Sequence, residues 1–312
     1  MTDLHRLSFV EVPCALCGVE DRRSLGENRS YPVPLGIVRC AGCGHVYLSP
    51  RPADESLADL YDEDYYTGEG DYTYADDRAV PEIAALRANA RLKRIEELKK
   101  PGDLLELGCS FGAFLLAARD RGWRVRGVDL SEVAVKTCRD RGLDIVPGTL
   151  ATAGIPPASV DVVYLSETME HLPDPRETVR AAAAALRPGG LIVIGTANHD
   201  SLARKLRGAA WGYYMPGHLQ YFSATSLGRL LLEEGFDVVR HRFGDDRSLG
   251  DLQAIRRLDG RSTGPAAWLA DFGRRLHLGG FSLGAGMLLY GRKRGRKRGG
   301  KQGGKPSTGE AP

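Results

Sequence analysis

The stretch Asp103-Leu-Leu-Glu-Leu-Gly-Cys-Ser-Phe-Gly112 decides the fold of this chain of 312 residues. Its first half, up to Leu107, has the apolar character of a buried strand. Gly108 and Gly112 then allow a tight turn, and the apolar residues of Phe111–Arg119 favour a helix. A strand that passes through a glycine turn into a helix is the first unit of an open parallel sheet, and such sheets bind ligands beyond the carboxyl ends of their strands. The stretch therefore predicts both an α/β fold and the position of a ligand site.

Further apolar segments alternate with helical ones after this turn, which predicts a parallel sheet with crossover helices. The predicted strands are Val125–Asp129, Asp144–Val146, Val160–Leu165 and Leu191–Gly195. Asp129 ends the second strand of the sheet, 17 residues after Gly112. An acid at this place accepts hydrogen bonds from the hydroxyls of a ribose, so we expect an adenosine derivative as the ligand.

The glycine turn separates two kinds of adenosine cofactor. The dinucleotide pattern G-x-G-x-x-G needs its middle glycine close to a pyrophosphate, and Ser110 replaces that glycine here. Glu106 stands two residues before the first glycine, where a carboxylate repels a pyrophosphate and can help to hold a cationic amino group. A cap of a turn or helix is the alternative role for Glu106. The turn therefore favours S-adenosylmethionine over a nicotinamide dinucleotide.

The segment Glu106-Leu-Gly-Cys-Ser-Phe-Gly112 resembles the first motif of the class I S-adenosylmethionine-dependent methyltransferases, E/D-x-G-x-G-x-G. Asp161–Pro175 is similar to their fourth strand and the loop after it, and Leu186–Ile194 to the entry into their fifth strand. The resemblance implies a Rossmann-like sheet of seven strands with helices on both faces, whose last strand, at about Gly284–Gly291, runs antiparallel. It also implies cofactor contacts from Glu106, Gly108, Cys109, Ser110, Gly112, Asp129, Leu130, Thr149, Leu150 and Ser166.

This sequence departs from the family pattern at two places. Ser110 brings a Cβ and a hydroxyl beside the cofactor, where the hydroxyl is placed to contact the methionine part. Gly148-Thr149-Leu150 lacks the acid that often lies near the adenine. We therefore expect the adenine to rest on backbone groups and on apolar contacts from Leu130 and Leu150.

Four of the six cysteines form two Cys-x-x-Cys pairs, with Cys14 and Cys17 in the first and Cys40 and Cys43 in the second. Two thiolates from each pair complete the tetrahedral coordination of a structural Zn²⁺. We expect a small zinc-ribbon-like module, with a redox-active or lost site as the alternative. His45 adjoins the second pair but is not needed as a ligand. The module narrows the resemblance to bacterial methyltransferases with an amino-terminal zinc-binding module, which are often associated with polysaccharide or secondary-metabolite pathways.

The sequence divides into four predicted parts. They are a zinc-binding module (1–50), a connector with a helix over Pro81–Lys99 (51–100), the methyltransferase domain (101–291) and a disordered basic tail (292–312). The connector is rich in tyrosine, at Tyr61, Tyr65, Tyr66, Tyr72 and Tyr74. These rings fit two roles equally, a lid over the cofactor or the seam between the module and the catalytic domain.

Composition and charge exclude several classes of protein. With 42% hydrophobic and 27% charged residues, the chain has the mix of a soluble globular protein. It has no apolar run near the roughly 20 residues that span a bilayer and no signal-peptide pattern, so we expect a cytoplasmic protein without membrane contact. Residues 292–312 carry eight Lys or Arg and one acid, whereas the rest has 35 basic and 39 acidic residues. That tail can touch nucleic acid, although its composition favours a solvated tail without an ordered partner.

Methyl transfer requires an aligned acceptor, and an oxygen or carbon acceptor also needs a base. We predict His171, which follows the fourth strand, and His218, in the aromatic segment 211–222, as the catalytic residues, and Glu170 and His199 are further candidates. Each predicted histidine has a structural alternative. His171 could tie its loop to Asp174, and His218 could pack against Tyr221.

Three hypotheses for function follow from these motifs. The leading one is an S-adenosylmethionine-dependent methyltransferase whose acceptor is a small molecule, a sugar or glycan precursor, or a natural product. The second is an RNA-directed methyltransferase that grips phosphates with the module and the basic tail. The third is a protein that binds the cofactor without turnover.

Overall fold

A computed structural model describes residues 4, 7–57, 60, 77–243, 277–278, 281–282 and 285–295. The strands, in chain order, are β1 Phe9–Val10, β2 Arg22–Asn28, β3 Leu35–Cys40, β4 Val46–Leu48, β5 Arg51–Pro52, β6 Asp103–Leu107, β7 Arg124–Asp129, β8 Ile145–Pro147, β9 Val160–Ser166, β10 Leu186–Ala197, β11 Gln220–Tyr221, β12 Phe236–Phe243, β13 His277–Leu278, β14 Phe281–Ser282 and β15 Gly286–Lys293. The α-helices are α1 Asp54–Leu57, α2 Pro81–Glu96, α3 Ala113–Asp120, α4 Glu132–Asp140, α5 Pro175–Ala185, α6 Leu202–Arg207 and α7 Ala224–Glu233. Short 3₁₀ helices lie at Asp77–Ala79, Met169–His171 and Gly208–Ala210.

The central sheet has seven strands in the order β12-β15-β10-β9-β6-β7-β8. The five strands from β10 to β8 pair in parallel, whereas β15 runs antiparallel to both β10 and β12. The predicted Rossmann-like sheet, with its antiparallel last strand, is therefore confirmed. Several boundaries differ from the prediction. β15 continues to Lys293, past the predicted end at 291, β10 covers Leu186–Ala197 where Leu191–Gly195 was predicted, and the predicted helix over Pro81–Lys99 ends at Glu96.

The central strands of this sheet are buried on both faces, which places a hydrophobic core on each side. Along β9, Val163 and Leu165 pack into one core cluster, and Val162 and Tyr164 pack into the other. The alternation follows the two-residue period of a strand, and helices cover both faces. Full burial of such a side chain stabilises the fold by about 1.5–3 kcal/mol.

Side chains at the carboxyl ends of the strands start the helices that follow. The Ser131 hydroxyl accepts from the Ala134 amide at 3.2 Å at the start of α4. The Asp174 carboxylate accepts from the Glu177 amide at 2.9 Å at the start of α5. Asp174 therefore caps α5. This contact replaces the contact with His171 that was the structural alternative for that histidine.

The amino-terminal module is a four-stranded sheet in the order β11-β4-β3-β2. Three of these strands come from the predicted module, but β11 comes from the methyltransferase part of the chain, so the sheet crosses the predicted boundary at 50. Apolar residues of β3 and β4 pack with Trp211, Tyr214, Leu219 and Tyr221 in one cluster. The module therefore shares its core with the aromatic segment that carries His218.

Several predicted features lie outside the described residues. They are the connector tyrosines from Tyr61 to Tyr74 and the basic tail beyond 295. Within the ranges that are described, no helix is long and apolar enough to cross a membrane.

Candidate active site

The glycine turn between β6 and α3 has the tight backbone geometry that its two glycines predict. Gly108 and Gly112 have φ angles of 70° and 78°, which L-residues rarely adopt. A Cβ at Gly108 would lie 2.6 Å from Thr168 Oγ1, and one at Gly112 would lie 2.5 Å from Leu143 Cδ1. Both positions therefore require glycine for backbone conformation and for space.

Ser110 occupies a strained position between the two glycines. Its φ angle is 46°, in the left-handed region, and its amide donates to Asp129 Oδ2 at 2.8 Å. Its buried hydroxyl oxygen has no hydrogen-bond partner among the residues that the structure describes. A buried hydroxyl without a partner costs about 1–3 kcal/mol, and a polar group of a bound ligand would remove that cost.

Asp129 lies at the end of β7, next to the glycine turn. Its second carboxylate oxygen, Oδ1, accepts from the Ser131 amide at 2.9 Å. Burial raises the pKa of Asp129, and backbone hydrogen bonds, among them those from Ser131 and Ser110, oppose that rise. Each carboxylate oxygen can accept a second hydrogen bond, so the group can still bind ribose hydroxyls. Glu106 is buried on β6, beside Gly127 of β7, which gives this edge two buried acids.

The other predicted cofactor residues are in varied environments. Leu130 is 70% exposed and offers an apolar surface beside Asp129, whereas Leu150 is 5% exposed and packs in the core. The Thr149 hydroxyl lies 3.1 Å from that of Thr152, within a turn. Cys109 is buried, and its hydrogen bond with Cys138, together with burial, raises the pKa of its thiol. Ser166 ends β9, on the strand next to β6.

The carboxyl end of β9 is contacted by a residue that sequence reasoning missed. Arg91, on α2, donates to the Tyr164 hydroxyl at 3.2 Å and to Ser166 Oγ at 3.3 Å. A Cβ on Gly195 would approach Arg91 Nη1 to 2.9 Å, so this glycine makes room for the guanidinium. Glu167 follows with a φ of 51°, which marks a strained backbone at the edge where ligands bind.

The two predicted catalytic histidines lie together, with ring centroids 4.7 Å apart. The Nδ1 of His171 donates to the Gly217 carbonyl at 2.9 Å, and the Nδ1 of His218 donates to the Tyr213 carbonyl at 2.8 Å. Carbonyl oxygens only accept, so each Nε2 keeps its lone pair. Burial lowers the pKa of His171 to about 4, and burial together with His171 lowers the pKa of His218 well below its usual value. Both rings are therefore neutral at pH 7.

Glu170 adds a buried carboxyl group to this pair. The Thr196 hydroxyl donates to its Oε2 at 3.0 Å, and its Oε1 is buried without a hydrogen-bond partner in the described part of the chain. Burial, followed by the charge of Glu167, raises the pKa of Glu170 well above its usual value. Ligand-type atoms of Glu170, His171 and His218 lie within 4.8 Å of one another, so the three groups border one small space.

His199, the other candidate base, is engaged elsewhere. It is 2% exposed, and its Nε2 lies 2.9 Å from the Tyr214 hydroxyl. Its ring packs edge-on against Trp211 at 6.2 Å between centroids. The His218 ring lies 5.5 Å from the Tyr213 ring, measured between centroids. The Tyr221 ring packs against Tyr214. The contact with Tyr221 that was the structural alternative for His218 is therefore replaced by a contact with Tyr213.

The four cysteines of the two pairs meet in the module and suit a zinc ion. Cys14 Sγ lies 3.5 Å from Cys43 Sγ, and Cys17 Sγ lies 3.5 Å from Cys40 Sγ. Sulfurs around a tetrahedral Zn²⁺ at 2.3 Å lie about 3.8 Å apart, so this cluster has the right size and donor set. The Nε2 of His45 donates to Gln220 Oε1 at 3.0 Å, which agrees with its predicted exclusion from the ligands.

The sheet order, the glycine turn after β6 and the buried acid after β7 together define a class I S-adenosylmethionine-dependent methyltransferase. Comparison with known families agrees with this class. A family model described as a methyltransferase domain matches residues 79–241, just over half of the chain. The chain belongs to that methyltransferase-domain family.

Curated relatives give the same class, and a solved structure gives the same fold. The ubiquinone biosynthesis O-methyltransferase of Idiomarina loihiensis is 41% identical over 106 residues, 31% of this chain and 43% of the relative. A Mycolicibacterium smegmatis protein named "Probable S-adenosylmethionine-dependent methyltransferase" is 37% identical over 140 residues, 44% of this chain and 52% of the relative. The chain thus spans about half the length of these relatives. A solved structure is also similar, that of the complex between the Trm112 methyltransferase activator of Haloferax volcanii and a methyltransferase. The match covers 71% of this chain and 94% of the matched chain, with a TM-score of 0.52 and 17% sequence identity. At this identity it shows the fold alone.

Proposed function

We propose that this protein transfers a methyl group from S-adenosylmethionine to a small-molecule acceptor, such as a sugar, a glycan precursor or a natural product. The observation that carries the proposal is the pairing of two half-sites at one sheet edge. One is the glycine turn with Asp129, and the other is the buried pair of neutral imidazoles, His171 and His218. The name of the Idiomarina relative, an O-methyltransferase of ubiquinone biosynthesis, supports a small-molecule acceptor.

Residues of the first half-site would hold the methyl donor. Asp129 would accept from the ribose hydroxyls, the backbone of Gly108–Gly112 would approach the methionine part, and exposed Leu130 would pack on the adenine. The unpartnered Ser110 hydroxyl is suited to a polar group of the same ligand. When bound, S-adenosylmethionine supplies a sulfonium whose methyl group is already activated for displacement.

Residues of the second half-site would act on the acceptor. The Nε2 lone pairs of His171 and His218 can accept a hydrogen bond from a hydroxyl and take its proton as the acceptor attacks the methyl carbon. A positioned base of this kind contributes about 10²–10⁴-fold to a rate. Burial raises the pKa of Glu170, which favours the protonated form of this carboxyl group, and in that form it would donate a hydrogen bond beside them.

Titration with S-adenosylhomocysteine tests the cofactor half of this proposal. Asp129→Ala removes charged acceptors worth about 1.5–3 kcal/mol each, so we expect affinity to fall at least about tenfold. Asp129→Asn, which keeps the shape and one acceptor for the backbone amides, should give an intermediate loss. Asp144→Ala is the matched control, because that side chain is 56% exposed and pairs with Arg126. Equal affinities for all four proteins would contradict the proposal.

Methyl transfer itself is tested with labelled S-adenosylmethionine and a fractionated extract of the source cells. We expect one labelled small molecule, and its labelling rate should fall about 10²–10⁴-fold in His171→Gln or His218→Gln. The affinity for S-adenosylhomocysteine should stay unchanged in both variants. Binding without any labelled product would favour the non-catalytic alternative, and label in RNA would favour the RNA-directed one.

We also propose that Cys14, Cys17, Cys40 and Cys43 hold one structural Zn²⁺. The support is the distance of 3.5 Å from Cys14 Sγ to Cys43 Sγ and from Cys17 Sγ to Cys40 Sγ, together with the all-thiolate donor set. Metal analysis of the purified protein should give one zinc per chain, and Cys43→Ser should lose it. A zinc-free protein with a disulfide would support the redox-active alternative.

A further inference from the structure

The sheet of the amino-terminal module is completed by the segment that carries His218. In β11, Gln220 pairs with Tyr47 and Tyr221 with Val46 of β4. The Leu48 amide adds a hydrogen bond of 3.0 Å to the Leu219 carbonyl. The three residues that follow His218 are therefore held by the edge of the module sheet.

The same short segment is bound on its other side to the loop after β9. The Leu219 amide donates to the Glu170 carbonyl at 2.7 Å, and the Gly217 carbonyl accepts from His171 Nδ1 at 2.9 Å. Residues 217–221 thus bridge the module sheet and both candidate catalytic histidines. A shift of β11 would move His218 directly and would move His171 through its hydrogen bond.

Gln220 makes this bridge with its side chain as well. It is 3% exposed, its amide nitrogen donates to the Leu172 carbonyl at 3.2 Å, and its Oε1 accepts from His45 Nε2. Leu172 directly follows His171, and His45 lies two residues after the zinc ligand Cys43. The buried side-chain amide of Gln220 therefore connects the second cysteine pair with the loop after β9.

The proposed zinc ion closes the hairpin on which β11 rests. Cys40 is the last residue of β3, and Cys43 lies three residues before the start of β4 at Val46, so the second cysteine pair forms the turn between these strands. A structural zinc contributes folding free energy to the turn that it closes. The cofactor half is held differently, because the Ser110 and Ser131 amides both donate to the Asp129 carboxylate, at the glycine turn and the end of β7.

We infer that the zinc module is part of the acceptor site: zinc at the four cysteines fixes β3, β4 and β11, and Gln220 is the positioning residue that transmits this order to His171 and His218. The inference rests on the zinc ion proposed above. It implies that the metal controls the geometry of the catalytic histidines and leaves the affinity for the cofactor unchanged.

Histidine resonances of the full chain test this inference without an acceptor. The chain has seven histidines, and those of His171 and His218 are assigned from the His171→Gln and His218→Gln variants. Removal of zinc with a chelator should shift or broaden both resonances, and returning zinc should restore them. The resonance of His241, on β12 of the central sheet, serves as the internal control and should not move. The affinity for S-adenosylhomocysteine should change less than about threefold.

The Gln220→Leu variant separates positioning from metal loss. It should retain one zinc per chain and bind S-adenosylhomocysteine normally, yet shift the resonances of His171 and His218. Unmoved histidine resonances in the zinc-free protein or in Gln220→Leu would overturn the inference, as would a loss of cofactor affinity on zinc removal. Failure of the proposed function would look different, because the zinc-loaded wild-type protein would then not bind S-adenosylhomocysteine.

Discussion

Replacement of Ser110 by glycine should stabilise the ligand-free protein while it weakens cofactor binding. The left-handed backbone at Ser110, with a φ of 46°, costs an L-residue about 1–2 kcal/mol. Its buried hydroxyl without a partner costs about 1–3 kcal/mol. Glycine removes both costs but loses roughly 0.5–1 kcal/mol more in backbone entropy on folding.

The balance is a gain of roughly 1–4 kcal/mol in the free energy of unfolding. Because each kcal/mol shifts the melting temperature of a domain of this size by about 2–4 °C, thermal melts without ligand should rise by at least about 2 °C. The matched control is Ser110→Ala, which removes the hydroxyl but keeps the strained backbone. It should recover only the part of the gain that comes from the hydroxyl.

Cofactor binding should change in the opposite direction. A lost hydrogen bond between the Ser110 hydroxyl and the ligand is worth about 0.5–1.5 kcal/mol, so the affinity for S-adenosylhomocysteine should fall about 2- to 10-fold in both variants. A lower melting temperature for Ser110→Gly would refute the strain argument. Unchanged affinity would refute Ser110 as a contact of the cofactor.

Further predictions concern pH, packing and additivity. Burial lowers the pKa of His171 from 6.5 to about 4, so the unfolded chain binds more protons than the folded chain between these two pH values. The free energy of unfolding should therefore fall by roughly 2 kcal/mol from pH 7 to pH 5. The melting temperature of His171→Gln should depend less on pH. Gly112→Ala should lower the melting temperature more than Gly122→Ala, because both have positive φ but only the first would clash with neighbouring side chains; equal melts would contradict this. Ser110 and Gln220 share no hydrogen-bond partner, so the effects of Ser110→Gly and Gln220→Leu on the free energy of unfolding should add within about 0.5 kcal/mol in the double variant. A larger difference from additivity would show that the module and the glycine turn are coupled.

The geometry of the proposed cofactor half could be predicted from the sequence because the residues that determine it are local. The glycine turn needs Gly108 and Gly112 for positive φ and for space, and Asp129 follows a buried strand by a spacing that the sheet imposes. Apolar runs likewise predicted the strands from β6 to β10. Such signals are visible in a few consecutive residues, and no knowledge of distant contacts is required.

The acceptor half depends on contacts between distant parts of the chain, so its assembly was not predictable. A strand of two residues such as β11 has no periodicity, and its partner β4 lies more than 170 residues earlier in the sequence. The partners of His171 and His218 are backbone carbonyls, which every residue type offers equally. The sequence likewise gives no signal for the contacts of Gln220 and Arg91, and only the tertiary structure reveals that they bridge separate elements.

The low pKa values of the two imidazoles have a consequence for methyl transfer in the proposed reaction. Two like unit charges about 5 Å apart repel by roughly 3 kcal/mol at an effective dielectric constant of 20. An enzyme that holds a sulfonium therefore gains when its base is uncharged before the acceptor attacks. Burial keeps His171 and His218 neutral at pH 7, and the Gly217 and Tyr213 carbonyls turn the lone pair of each ring to Nε2. Since the module sheet supports this part of the chain, it would contribute to the neutrality of the base as well as to its position.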